Sequence, residues 1–238
     1  DLKEYYLFVS YDPLMTTYNV RVGRSDKAEG PFIDYFGKEL KDTTNNFPIL
    51  TAPYRFKNHS GWAGTAHCAV FTSDDGQYFM AHQGRLSPQN QMMDLHVRQV
   101  FFTKDGWPVV SPERYAGSNP REFSAADLVG EWEIIRVQEP LYERKQEAGQ
   151  ILWGEGELQD EEWNMSHLLY LEKDGKLGED QGTWDFAKED QSLQLTLNGE
   201  VVRNLIVFAG HDWENETETV LFTGLDSRGR SVWGKRTK

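Results

Sequence analysis

One histidine, His67, lies in the stretch GTAHCAVF (residues 64–71), where its neighbours are small or apolar. This run predicts a buried strand, and burying an imidazole without a hydrogen-bond partner costs about 1–3 kcal/mol. The stretch therefore requires a partner for the ring. Judged on these residues alone, a core histidine bonded to a backbone carbonyl is the favoured interpretation.

The other residues with metal or redox chemistry give weaker signals. Cys68 is the single cysteine, which excludes an internal disulfide and any multi-cysteine zinc site. Its apolar surroundings favour a small core residue. Four further histidines lack metal-ligand spacing: His59, His96, His167 and His211.

Short runs rich in Val, Ile, Tyr, Phe and Thr, separated by turn residues, predict an all-β protein. A break with Pro112, Gly117 and Pro120 predicts a linker, so we divide the chain into residues 1–120 and 121–238. In the second part, alternating strands are joined by the turns KDG, LNGE and DSRGR. These features predict an antiparallel β-barrel or sandwich. The acidic stretch 138–163 between its early strands is predicted to be solvated surface.

The first part has a different rhythm, with three or four short strands, a loop, and the same again. This rhythm is typical of four-stranded propeller blades. About 120 residues hold only two blades, which would leave open sheet edges. We therefore expect residues 1–120 to be an incomplete propeller.

The charge and hydropathy of the chain exclude several function classes. With 238 residues and a formal charge of −13, the chain has no clustered basic stripe for nucleic acid. No apolar run approaches the roughly 20 residues that span a bilayer. Nucleic acid and membrane are therefore not expected partners, whereas neutral ligands such as sugars are compatible with this composition.

Several phrases carry a family resemblance that periodicity does not: YYLFVSYD, TTYNVRVGRSDKAEGPFID, GTAHCAVF, YFMAHQGR and LHVRQVFFTKDGWPVVSPERYAG. Residues 1 to about 117 resemble the C-terminal part of the endo-α-1,5-L-arabinanases of glycoside hydrolase family 43. The remainder resembles, more loosely, the β-barrel domain that follows the propeller in the larger extracellular members. The resemblance implies the last blades of a five-bladed propeller followed by a barrel.

The resemblance also implies inverting hydrolysis of α-1,5-linked arabinofuranose chains by two carboxyl groups about 6.5–9.5 Å apart. The acid Glu and both Asp residues of the family lie upstream of the first matching strand. We therefore expect no catalytic residue in this chain and an N-terminal half of the same enzyme as its partner. Asp12 and Asp94 stand at predicted strand ends, where acidic residues are usually turn or edge residues, so neither is nominated as a substitute.

The family places the histidine that matches His67 on the propeller axis, where it binds a metal usually taken as calcium. The other ligands of that ion are mostly water, an unusual set for a cation that prefers oxygen. With the resemblance, the interpretation of His67 changes from core residue to calcium ligand.

Strand alternation in TTYNVRVGRS places Tyr18 on one face and Asn19 on the other. In the family, the matching Tyr-Asn pair and the Arg that matches Arg24 lie near the sugar or the acid Glu. Arg24 would then hold a carboxylate and tune its pKa. A surface ion pair is an equally good interpretation of Arg24.

Three further residues are weaker candidates for sugar binding. His82 and Arg85 come at a predicted strand end near the expected sugar site, and Trp62 precedes the predicted His67 strand. The simpler interpretations are an exposed histidine and a core tryptophan.

We therefore predict the C-terminal portion of an extracellular arabinanase, with calcium as its metal. Two alternatives remain open: a non-catalytic carbohydrate-binding protein, and a related xylosidase or arabinofuranosidase.

Overall fold

The computed structural model describes residues 4–42, 45–89, 91–138 and 158–238. These residues are nearly all in strands and turns, which confirms the predicted all-β class. The part of the acidic stretch at residues 139–157, including Trp153, lies outside the described residues. Among the helices that the structure describes, none is both long and apolar enough to cross a membrane.

The first region forms two antiparallel sheets. The smaller sheet has the order β1-β2-β3, and the larger one contains β4, β5, β7, β8 and β9 in that order, with β6 paired to β7 beside β5. The segment 37–62 also contains short strands. The strands are β1 Tyr5–Tyr11, β2 Asn19–Ser25, β3 Ile49–Thr51, β4 Tyr54–Arg55, β5 Trp62–Ala63, β6 Ala69–Thr72, β7 Tyr78–Leu86, β8 Asp94–Phe102 and β9 Pro108–Val110.

The second region is a closed eight-stranded barrel, which confirms the predicted architecture. A short helix, α1 (Ala125–Leu128), precedes it, and the order of its strands is β10-β12-β13-β14-β15-β16-β17-β18. The strands are β10 Gly130–Arg136, β11 Asn164–Met165, β12 His167–Leu171, β13 Lys176–Leu177, β14 Gly182–Ala187, β15 Ser192–Leu197, β16 Glu200–Asp212, β17 Thr217–Leu225 and β18 Ser231–Arg236. Single 3-10 turns lie at Asp160–Glu162, Gly178–Asp180 and Lys188–Asp190.

Local sequence explains why the barrel closes. Asn198 and Gly199 both have positive φ, at 49° and 82°, the conformation that a two-residue hairpin needs between β15 and β16. Alternate residues of the strands then point inward, and Trp132, Leu195 and Phe222 fill the interior with other buried apolar side chains. The barrel is therefore a packed core rather than an open tube.

The two regions share one hydrophobic core. Ile135 and Trp233, opposite each other on β10 and β18, face outward from the barrel and pack with Tyr54 and Phe56 of the first region. In addition, β11 is not part of the barrel; it pairs in parallel with β4 of the first region. The first region therefore packs against the outer face of the barrel.

A buried ionic cluster reinforces this interface. Lys235 of β18 has no exposed side-chain surface, and its Nζ lies 2.9 Å from carboxylate oxygens of both Glu113 and Asp212. It also pairs with Glu214, and it lies 4.0 Å from the ring centroid of Phe56. Desolvation raises the pKa of Glu113 well above its usual range. Because three carboxyl groups share one ammonium, Glu113 retains its proton to a higher pH than an exposed glutamate does.

The division at residue 120 and the assignment of the first two sheets to a five-bladed propeller stay predictions.

Candidate functional site

The loop that carries His67 differs from the predicted strand. Residues 64–68 are not in a strand, and His67 is exposed with a φ of 58°. The expectation of a buried strand is therefore wrong, because the chain leaves β5 at Ala63 and turns before β6 starts at Ala69. The imidazole needs no core partner, and the backbone N–H of His67 instead donates to Ser10 Oγ at 3.0 Å.

Neighbouring segments hold this loop in place. The amide of Gly64 donates to the carbonyl of Thr16 at 2.8 Å, and the amide of Gln83 donates to the carbonyl of Ala66 at 2.9 Å. Gly64 has a φ of 60°, and a Cβ there would lie 2.7 Å from the carbonyl oxygen of Leu14. Glycine is therefore required where the loop passes under the β1–β2 turn.

His67 lines a cavity of about 620 Å³, here called the His67 cavity. Its walls include Leu14 from the β1–β2 turn, Gln83 and Arg85 from β7, and Asp94 from β8. Gln83 Nε2 donates to the carbonyl of Gly64 at 3.1 Å, and Arg85 Nη1 donates to the carbonyl of Gln91 at 3.1 Å. The structure thus brings predicted residues His67 and Arg85 together, with donors and acceptors suited to hydroxyl groups.

A buried polar network lies around the β1–β2 turn, which also supplies Leu14 to the His67 cavity. Asn19, fully buried, donates from Nδ2 to Asp12 Oδ2 at 2.6 Å and accepts from Arg21 Nε at 3.0 Å. Arg21 also lies 3.7 Å from Asp12 Oδ2 and 4.6 Å from the ring centroid of Tyr11. Asn19 is a predicted site residue and Arg21 is not, although strand alternation puts both on one face of β2. Their shared alternation was the available signal.

His82 also lines the His67 cavity, but both of its ring nitrogens are hydrogen-bonded to other protein groups. It lies inside β7 rather than at a strand end and is 1% exposed. Arg98 Nε donates to His82 Nε2 at 2.9 Å, so the Nδ1–H donates to the carbonyl of Gln83 at 2.7 Å. Burial, aided by the charge of Arg98, lowers the pKa of His82 to about 3. This neutral ring has no nitrogen left for a sugar hydroxyl.

Trp62 has the geometry of a core residue rather than a sugar platform. It is 5% exposed, stacks on His59 at 5.5 Å and meets the edge of His96 at 4.4 Å. Tyr18 is half-buried and packs against the shared core. Neither ring offers an open face to the His67 cavity.

Arg24 lies away from Asn19, at the opposite end of β2, roughly 16 Å along the strand. Its Nη1 donates to the carbonyl of Asp105 at 2.7 Å and lies 3.6 Å from Glu4. The guanidinium also stacks 4.4 Å from the ring centroid of Trp107. Among the described residues, Arg24 therefore contacts the β8–β9 turn and does not line the His67 cavity.

The donors around His67 fit a metal ion only if water completes its shell. In the described part of the chain, the one group of three carboxylate, histidine or cysteine ligands within metal distance is Glu113, Asp212 and Glu214, where Lys235 sits. No such group includes His67. A single exposed imidazole is compatible with the predicted water-rich calcium site and not with a cage made by protein ligands.

The family follows from a sequence profile that matches residues 112–234, just over half of the chain. Its description is the glycoside hydrolase family 43 C-terminal lipocalin-like domain. The chain belongs to this family.

Relatives extend the match over the whole chain. An extracellular endo-α-(1→5)-L-arabinanase 2 of Bacillus subtilis is 25% identical over 99% of this chain and 50% of its own length. The corresponding enzyme of Thermotoga petrophila is 25% identical over 100% of this chain and 51% of its length. The chain therefore spans about half the length of these curated relatives.

Two solved structures share the fold. A family 43 glycoside hydrolase, the YxiA protein of Bacillus licheniformis, superposes with a TM-score of 0.79 at 24% identity. The endo-1,5-α-L-arabinanase of Thermotoga petrophila superposes with a TM-score of 0.80 at 22% identity. Each match covers 99% of this chain and 53% of the other chain, so both regions of the fold occur together in these proteins.

Proposed function

We propose that this chain is the C-terminal part of a secreted endo-α-1,5-L-arabinanase. The observation that carries the proposal is the match of the entire chain to two proteins with that name, each over about half its length. Both relatives are named extracellular, which supports secretion. The His67 cavity, with its mixture of donors and acceptors, supports a polyhydroxylated substrate.

The partner in this proposal is an N-terminal half that supplies the acid and base carboxyl groups. Two sheet edges support it, because β1 pairs only with β2 and β6 only with β7 among the described strands. Apolar side chains are exposed on the same region, with Tyr5 at 41%, Phe71 at 47% and Leu95 at 76%. Exposed strand edges beside apolar side chains are surfaces that another strand or sheet covers.

This chain's own residues would position the sugar in the assembled enzyme. Gln83 and Arg85 would bond hydroxyls at the floor of the cavity, while the Asp12–Asn19–Arg21 network keeps the neighbouring turn rigid. A calcium ion at His67 would order water and charge beneath the substrate. The inverting displacement itself needs a carboxylic acid and a carboxylate about 6.5–9.5 Å apart, both from the partner.

Intact mass spectrometry of the protein isolated from its source, under native and denaturing conditions, tests the partner. We expect a native mass that separates into this 27.5 kDa chain and a second polypeptide, or a longer chain that contains both. Linear arabinan should then be cleaved in preference to aryl arabinosides and xylan. Release of arabinose from aryl arabinosides alone would contradict endo action.

The metal proposal has a test independent of activity. Calcium should raise the melting temperature of the assembled enzyme, and His67→Ala should abolish this increase while leaving the calcium-free melting temperature nearly unchanged. His211→Ala, a change in a partly exposed histidine of the barrel, serves as the matched control. An undiminished calcium effect in His67→Ala would exclude His67 as the ligand.

A further inference from the structure

A second cavity, also about 620 Å³, lies at one end of the barrel and shares no lining residue with the His67 cavity. We call it the barrel-mouth cavity. Its lining includes Ile134, Arg136, Leu169, Gln181, Asn198 and Glu200. From its chemistry, we propose that the barrel-mouth cavity binds a neutral oligosaccharide.

The polar lining of the cavity contains a guanidinium–carboxylate pair, Arg136 and Glu200, that both donates and accepts. Arg136 Nη1 donates to Glu200 Oε2 at 2.6 Å, and these side chains are only 23% and 34% exposed. Among the described residues, Glu200 is the one hydrogen-bond partner of the Arg136 guanidinium, which lines the cavity and has further N–H groups to donate. Hydroxyl groups both donate and accept, so they pair with a guanidinium and a carboxylate side by side.

Two amides extend this set across the mouth. The backbone N–H of Asn198 donates to the backbone carbonyl of Gln181 at 3.0 Å, which fixes the two turns that carry these side chains relative to each other. Primary amides offer two donors and one acceptor each. Together with Arg136 and Glu200, they surround the opening with hydrogen-bonding groups.

The floor is apolar and closed. Ile134, Leu169 and Leu197 line it, and below them Trp132 and its neighbours fill the barrel interior. A sugar presents an apolar C–H face as well as hydroxyls, which suits a polar rim above an apolar floor. A long acyl chain would need a deep channel, and the packed core leaves none. An anion would meet Glu161 and Glu162 at the rim, while Arg136 is already neutralised by Glu200.

The volume lies within the range of about 300–1,000 Å³ that holds small ligands in proteins. The identity of the sugar rests on the proposed function: α-1,5-linked arabinofuranose units, held at a distance from the cleavage site. The barrel would thus be an anchoring module for the polymer on which the His67 cavity region acts.

The test is titration of the full 238-residue chain with α-1,5-arabinohexaose by isothermal titration calorimetry, with xylohexaose and cellohexaose for comparison. We expect saturable binding of the arabino-oligosaccharide. The double variant Arg136→Met/Glu200→Met removes both charges together and should weaken binding at least tenfold. Arg203→Met, an exposed change elsewhere on the barrel, should leave the affinity unchanged. Circular dichroism and thermal melting establish that each variant is folded.

Three results would overturn the inference: no binding by the folded wild-type chain, equal binding by the folded double variant, or preferential binding of xylohexaose or cellohexaose. Because this assay uses the chain alone and measures no cleavage, it reads out separately from the proposed function. An assembled enzyme that fails to cut arabinan would contradict only the latter.

Discussion

The two regions of this chain treat their sheet edges in opposite ways. The barrel joins β10 to β18 and so leaves no edge open in its ring of eight strands. In the first region, β1 and β6 each have one partner among the described strands, and nearby apolar side chains are exposed. Closure leaves the barrel ring without an open edge, whereas the open edges of the first region would accept the strand-bearing partner proposed above.

The regions are nevertheless one structure, because they share a core and the Lys235 cluster. The side of the first region that packs on the barrel is covered, whereas the side that carries His67 has unpaired strand edges among the described strands. We therefore expect substitutions at the interface with the barrel to lower the free energy of unfolding the most.

Lys235→Met should have the largest effect. It leaves Glu113, Asp212 and Glu214 without their cation at a buried interface, and we expect a loss of about 3–5 kcal/mol in the free energy of unfolding, measured by urea denaturation. The matched control is Lys104→Met, because Lys104 pairs with Asp190 across the same two regions while its side chain is 57% exposed. We expect little change for Lys104→Met. Equal effects of the two variants would show that the buried cluster does not join the regions.

A pair of glycine substitutions probes the packing within each region. In Gly234→Ala, a Cβ would lie 2.1 Å from the ring of Phe222 inside the barrel, and in Gly84→Ala it would lie 2.6 Å from the ring of His96. Each should lower the free energy of unfolding by about 1–3 kcal/mol through overpacking. Because the core is shared, thermal melting should remain a single transition in both variants. Two separate transitions would show that the regions unfold independently.

Glu113→Gln should produce the smallest and most pH-dependent change. The raised pKa of Glu113 means that the folded chain binds its proton more tightly than the unfolded chain does. The wild-type protein therefore loses stability as the pH rises above the ordinary Glu range of about 4.3 towards the raised pKa. A neutral amide does not ionise, so the melting temperature of Glu113→Gln relative to wild type should increase between pH 5 and pH 8. A difference that is constant across this range would contradict the assignment of the proton to Glu113.

The sequence supported the fold better than the site. Alternating apolar residues and the Asn198-Gly199 turn predicted the barrel, because both signals are local. Lys235 illustrates what is lost: alternation puts it on the outward face of the barrel, which would normally be solvent. That face is buried because Glu113 and Phe56, distant in the sequence, pack over it.

The family resemblance predicts a role for His67 but does not predict its conformation. A run of small and apolar residues has the composition of a strand. The break depends on a left-handed Gly64 and on contacts with Ser10 and Thr16, about fifty residues earlier. For the same reason, local sequence patterns do not predict the hydrogen bond between Arg98 and His82 or the one between Arg24 and the β8–β9 turn.

Hydrogen–deuterium exchange on the isolated, monomeric chain tests the contrast between the regions most directly. We predict slow exchange along β15, β16 and β17, where each strand is paired on both sides, and rapid exchange of the amides at the open edges of β1 and β6. Adding the N-terminal half should slow exchange at those two edges and leave the barrel unchanged. Edge amides of β1 and β6 that are as protected in the isolated monomer as those of the barrel would contradict the account.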